Sequence, residues 1–298
     1  MLLNQTEARD TNDKVAAPRN SEAGKMKASI HALAGVLLVA LAGPLAAAEK
    51  PAIETKTRAA VITVTIDKAL KPVPGLAADL VAEGQRFVDK SRAEADEEYK
   101  TNKSWFKDRR WTYERSYSFR SLVADRYVSI VREDGTYAGG AHPNSLTNTI
   151  LWDKTAQKRI SIRPFFNEMA DNGPTMTALA RLVRIAVVIE KDERRNSELS
   201  EEEKKKPHRK VEDMIADDTQ LKEAVQPKLL KIGPISLAPS TVAGKSSGLT
   251  FHFSPYDVDA YAAGPYTIFV PWTDLKPFLS PEGVAIFGGE RPEKDKEL

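Results

Sequence analysis

The chain has 298 residues, 41% of them hydrophobic and 29% charged, a balance that supplies a sizeable core and suggests one or two domains. Its 44 basic and 42 acidic residues nearly cancel to a net charge of +2, so no basic stripe of the kind that binds nucleic acid is indicated. With no cysteine in the chain, disulfides, thiolate metal sites and cysteine nucleophiles are all excluded.

Residues 1–25 are polar and mixed in charge, an unusual preface to an apolar leader. Met26 and Lys27 open a short basic start, and Ala32 to Gly43 is an apolar run that ends at Pro44. Ala46, Ala47 and Ala48 then supply the small residues a signal peptidase accepts. Residues 26–48 are therefore expected to be a signal peptide cleaved after Ala48, with Met26 as the true start and residues 1–25 not native. The apolar run falls short of the roughly 20 residues that span a bilayer, and no later stretch reaches that length. The expectation is a periplasmic or secreted protein with no membrane span in its mature chain. The absence of a twin arginine favours the general secretory route.

Glu49 to Arg58 reads as a loose lead-in. Ala60, Ile62, Val64 and Ile66 alternate with their neighbours as in a strand, and Pro72 to Gly75 breaks it. From Leu76 to Tyr99 the apolar spacing turns helical, with Gly84 a weak point. Trp111, Tyr113, Tyr117 and Phe119 mark a strand in which Arg115 is an exception on the apolar face. Strands come next at 126–132, 146–152 and 159–162, with Glu133 to Gly135 read as a turn. Asn172 to Pro174 announces a helix over 175–190, and residues 196–210 are dense in charge, with i,i+4 pairs such as Glu201 and Lys205. Val211 to Leu221 reads as a further helix. Residues 235–237, 249–253 and 266–270 read as strands, and Thr273 as the cap of a short helix through Leu279. Gly288 to Leu298 reads as a disordered tail. This order predicts an α+β fold of antiparallel sheets with packed helices, not an alternating βαβ chain.

Catalytic signatures are lacking: no G-x-S-x-G, P-loop or H-E-x-x-H occurs. Of the histidines beyond the leader, His208 lies in the charge run. His252 alternates with Leu249, Phe251 and Phe253, pointing away from the face they bury. His142 lies in Gly139-Gly-Ala-His-Pro-Asn144, a loop with two glycines and a proline to fix its exit. A metal held by His142, His252 and Asp257 or Asp259 is chemically sufficient, but the spacing carries no ligand signature. No metal, cofactor or catalytic residue is assigned. The second distinctive segment runs from Phe253 to Tyr266. Its Tyr256, Tyr261 and Tyr266 suit recognition of sugars or proteins, or else pack as a corner between strands. The corner reading is preferred for Tyr266.

The GGAHPN loop at 139–144, with Tyr137 before it, resembles that of the RsiV C-terminal domain family. Residues 253–275, FSPYDVDAYAAGPYTIFVPWTDL, are similar to that family's closing motif, and residues 152–166 are similar to the segment between the two. The first strand and the tyrosine-rich strand near Trp111 resemble the PdaC-type module that often precedes it. Ser254 stands where the family has asparagine, and Arg163 where an acidic residue is common. The resemblance implies an N-terminal module at 59–135, a C-terminal domain at 136–280 and a tail at 281–298. It also implies an extracytoplasmic setting and, from the anti-sigma members, lysozyme as one partner. The chain has no cytoplasmic domain to bind a sigma factor and no deacetylase motif, so neither role is carried over.

The expected function is an exported binding protein that recognises a lysozyme-like hydrolase or the cell-wall glycan, peptidoglycan. Tyr137, His142, Asn144, Tyr256, Asp257 and Tyr261 are its expected ligand-binding residues. The alternatives are a cell-wall hydrolase, metal-dependent in one version, and an envelope assembly or structural factor. In the hydrolase reading, His142 would work with carboxylates such as Asp257.

Overall fold

The computed structural model describes residues 50–73, 75–200, 202 and 209–296. The expected signal peptide, His208 and most of the 201–206 charge run lie outside them.

A six-stranded sheet in the order β1-β2-β3-β4-β5-β6 forms the centre: β1 Ile53–Lys56, β2 Ala60–Ile66, β3 Trp111–Val123, β4 Tyr127–Tyr137, β5 Asn144–Asp153 and β6 Lys158–Ile160. β1 falls in the segment read as a lead-in. Its alternation of half-buried and exposed residues shows an edge strand, too short for a pattern to be legible. Between β2 and β3 runs α1, Leu76–Thr101, and these two strands pair in parallel, Ala60 opposite Trp111 through Ile66 opposite Tyr117. One βαβ crossover therefore sits inside an otherwise antiparallel sheet.

The apolar side chains of β2 and the stripe Leu76, Leu80, Val88 and Ala95 of α1 bury one face of this sheet, with Tyr113, Tyr117, Ile130 and Trp152. Gly84 is the close-packing point. A Cβ there would lie 2.9 Å from Cγ1 of Val64, so the residue that weakens the helix in isolation lets it approach the sheet.

The opposite face meets the second core, built on α2 (Pro174–Glu198) and the sheet β7-β8-β9. Its strands are β7 Ile235–Leu237, β8 Gly248–Phe253 and β9 Tyr266–Pro271. The helical segment after 210 divides into α3 Val211–Asp217 and α4 Thr219–Ala224, because Asp218 caps α4 by accepting from the Leu221 N–H at 2.8 Å. Strand β4 continues through Glu133 to Gly135, which are not a turn. The expected module boundary at 135/136 falls inside β4, whose pairing with β5 runs from Tyr127 opposite Asp153 to Thr136 opposite Asn144.

Thr273 is internal to α5, Trp272–Leu275, whose cap position is Pro271. The described residues after 280 are folded: they include α6 (Pro281–Ile286) and α7 (Glu293–Lys296), and Ile286 and Phe287 enter the second core. Asp295 is 5% exposed. Of the tail expected to be disordered, residues 288–296 are ordered through polar anchoring: Trp272 Nε1 donates to the Gly289 carbonyl, and Arg120 and Arg291 both donate to Asp295.

Candidate functional site

The expected ligand-binding loops meet at the open edge of β5. β6 pairs only with Leu151 to Asp153, so the first half of β5 has no strand beyond it. The chain leaving β8 wraps this edge, and Ser254 Oγ accepts from the buried Thr147 N–H at 2.9 Å. That bond brings the segment beginning at Pro255 alongside the β4–β5 loop.

In the β4–β5 loop Gly139 has φ +81°, and the Arg109 guanidinium crowds the place a Cβ would take. The Tyr137 hydroxyl donates to the Gly140 carbonyl at 3.1 Å. His142 Nδ1 lies 3.1 Å from the Pro143 carbonyl, which can only accept. In that tautomer Nε2 accepts from the Tyr256 hydroxyl at 3.4 Å. The His142 ring stacks on Tyr261 at 3.7 Å and 19°, and Tyr256 lies 5.3 Å from Tyr261. The Tyr261 hydroxyl donates to the Pro143 carbonyl at 2.8 Å. Three rings from two loops thus form one cluster. Tyr256 is 57% exposed and held at φ +74°, a conformation that costs a non-glycine residue about 1–2 kcal/mol.

The cluster stands at the mouth of a groove of about 620 Å³ between α1 and the 255–261 loop. The sheet forms its floor, where Arg115 donates twice to Asp134 at 2.5 and 2.7 Å. Arg132 pairs with Glu83 of α1 at 2.7 Å, and Arg159 completes the network by pairing with Glu83 and Asp79. Burial raises the Glu83 pKa, but the Arg159 hydrogen bond and the charges of Arg159 and Arg132 outweigh it, leaving it below the ordinary carboxylate range. Also in the lining, Tyr113 keeps a buried hydroxyl with no hydrogen-bond partner. Burial, with the nearby charge of Glu94, raises its pKa to about 12. Arg86 and Lys90 line the α1 wall with exposed side chains that have no ion pair among the described residues.

Of the expected ligand-binding residues, Asn144, Tyr256 and Tyr261 line the groove, and His142 holds the two tyrosines together. Tyr137 braces the glycine loop. Asp257 faces away from the groove: its carboxylate accepts from the Ser254 N–H at 2.7 Å and fixes the turn that carries Tyr256. Tyr266 is the corner residue expected, buried with its hydroxyl on Asp259 at 2.7 Å and Arg194 over its ring. The floor network was not anticipated, although its signal was present: Arg115 is a charge in an apolar register, and its partners lie on other strands.

His142 and His252 occupy separate places. His252 is 7% exposed, within 2.9 Å of Ser236 Oγ. Burial, with Arg120 nearby, lowers its pKa to about 4. Among the described residues no group of three or more His, Asp or Glu side chains is arranged to hold a metal ion, and no helix is long and apolar enough to cross a membrane.

Residues 172–273, from the start of α2 to α5, match the family model described as Protein of unknown function (DUF3298). The match covers about a third of the chain and is a similarity of that part alone. It contains Tyr256 and Tyr261 but not the 139–144 loop. No curated protein matches the chain. Among solved structures, the chain is similar to a DUF3298-family protein of Bacteroides fragilis, at 17% identity over 78% of this chain and 94% of that one, with a TM-score of 0.45. It is also similar to one of Pseudomonas aeruginosa, at 12% identity over 78% of this chain and 90% of that one, with a TM-score of 0.41.

Proposed function

We propose that this protein is an exported binding module of the cell envelope, and that the groove between α1 and the 255–261 loop takes a segment of cell-wall glycan. The observation that carries this reading is the His142–Tyr256–Tyr261 cluster at the groove mouth, with Tyr256 displayed in a strained backbone conformation. Aromatic faces suit the C–H faces of sugars, and a floor of arginines and carboxylates suits their hydroxyls. The groove volume falls within the range of small-ligand sites. The leader-like residues 26–48 and the resemblance of both loops to the RsiV-type extracytoplasmic domain support an envelope setting. That resemblance also makes a lysozyme-like protein the partner to test beside the glycan.

The test is titration calorimetry of residues 49–298 with soluble peptidoglycan fragments and, separately, with lysozyme. Tyr256→Ala should weaken glycan binding tenfold or more, as loss of a central aromatic anchor does, and leave the thermal midpoint within a few degrees. Binding of neither partner, or glycan binding indifferent to Tyr256→Ala, would sink the proposal. Lysozyme binding alone would move the partner from glycan to protein.

A further inference from the structure

The end of the molecule beside the 139–144 loop carries a different kind of surface. α1 ends at Thr101, and a 3-10 turn over Lys103–Phe106 leads into β3. Residues 100–110 hold five cations and one anion, a net of +4, whereas the whole chain carries +2; the other 287 residues therefore sum to −2. Lys103, Lys107 and Arg110 are exposed and have no ion pair among the described residues, and Arg58 from the β1–β2 turn lines a shallow depression with Lys107, Asp108, Arg109 and Arg110. Arg109 folds back to donate to the Trp105 carbonyl at 3.0 Å.

Trp105 stands among these cations, 56% exposed. Its display is enforced. The next residue, Phe106, is buried between Tyr99 and Trp111, with ring centroids 5.6 and 5.4 Å away. With Phe106 pinned inward, the tight turn presents Trp105 to solvent. An exposed indole in a turn rich in cations has the chemistry of a membrane-interface anchor: indole partitions to the headgroup layer, and basic side chains are drawn to anionic lipid.

We propose that the 103–110 turn, with Arg58, docks the protein onto an anionic lipid surface. This does not depend on the glycan reading, because none of these residues lines the groove. Residues 47–298 form one compact unit that holds both hydrophobic cores, so this part can be tested without the apolar leader.

The experiment is co-sedimentation with vesicles of phosphatidylcholine alone and of phosphatidylcholine mixed with phosphatidylglycerol. Binding is expected to the mixed vesicles only and to weaken as salt is raised. Each cation near such a surface contributes about fivefold, so the triple variant Lys103→Glu, Lys107→Glu, Arg110→Glu should bind about a hundredfold more weakly or worse. Trp105→Ala should lose a smaller part, and Tyr256→Ala nothing. All five positions are exposed, so circular dichroism should show the variants folded. Equal binding to neutral vesicles, retention by the triple variant, or capture of a soluble anionic polysaccharide without vesicle binding would each overturn the proposal.

Discussion

Asp295 lies close to the end of the chain, yet its removal should destabilise the whole fold. Its carboxylate accepts from both terminal nitrogens of Arg120, one at 2.8 Å, and from Arg291 Nε at 2.6 Å. The side chain of Arg120 is 8% exposed, and its Nε already lacks a partner. Asp295→Ala would leave this guanidinium buried and uncompensated, with only a long contact to Thr250 Oγ1 at 3.4 Å. Breaking a buried pair in this way costs about 3–5 kcal/mol. For a chain of this size that corresponds to a fall of roughly 6–20 °C in the thermal midpoint. Differential scanning calorimetry at neutral pH reads the effect directly. The double variant Arg120→Met, Asp295→Leu removes the buried pair but leaves Arg291 without its carboxylate, and should regain part of the loss. A fall of less than about 2 °C for Asp295→Ala, or a double variant no more stable than the single one, would refute the claim that a buried ion pair fastens the chain end.

Two other positions in the cores give predictions of their own. His252 is buried beside Arg120, Asp295 and Arg291, and its pKa is lowered from an ordinary 6.5 to about 4. The unfolded chain then binds more protons between these values, so stability should fall as pH drops from 6.5 towards 4, by at most about 3 kcal/mol, and level off below. His252→Gln should flatten that part of a midpoint-against-pH curve, and a slope unchanged by the substitution counts against the assignment. Gly283 in α6 packs on the backbone of Phe165, where an added Cβ would lie 2.1 Å from the carbonyl oxygen. Gly283→Ala should therefore cost about 1–3 kcal/mol in denaturant unfolding, although alanine is the better helix former, and a neutral or stabilised variant would contradict the packing.

Much of the fold was legible because its elements bury one face each. β2 and β7 begin and end at the residues their patterns indicate, α1 ends at Thr101 where Tyr99 was expected, and α2 runs about two turns beyond its expected end. The failures share one cause: they lie where burial is polar or two-sided. β8 is buried at every position, so the alternation that turned His252 away from the core carried it into a second buried environment beneath Arg120. The chain end is charged and fastened by charge. The site was half visible. Glycines, prolines and tyrosines marked the two loops, but the groove floor is assembled from Glu83, Arg115, Arg132 and Asp134, whose relation is set by sheet register alone.

The position of the site is set by how the sheet closes. A strand edge with unpaired backbone groups must be covered or blunted, and here the cover is one side chain: Ser254 Oγ satisfies the buried Thr147 N–H, and the loop it begins carries Tyr256 and Tyr261. Edge protection and the display of Tyr256 and Tyr261 are thus one structural device, and removing the hydroxyl should affect both. Ser254→Ala leaves a buried donor without its partner, at a cost of about 1–3 kcal/mol. It should also raise hydrogen exchange across residues 254–261 and 144–147 while leaving α1 protected. Ser254→Asn restores an acceptor at that position and should recover part of both. If Ser254→Ala lowers stability but leaves exchange in the 254–261 loop unchanged, Asp257 and the Tyr261–Pro143 bond hold the loop without the edge, and the two roles are not coupled.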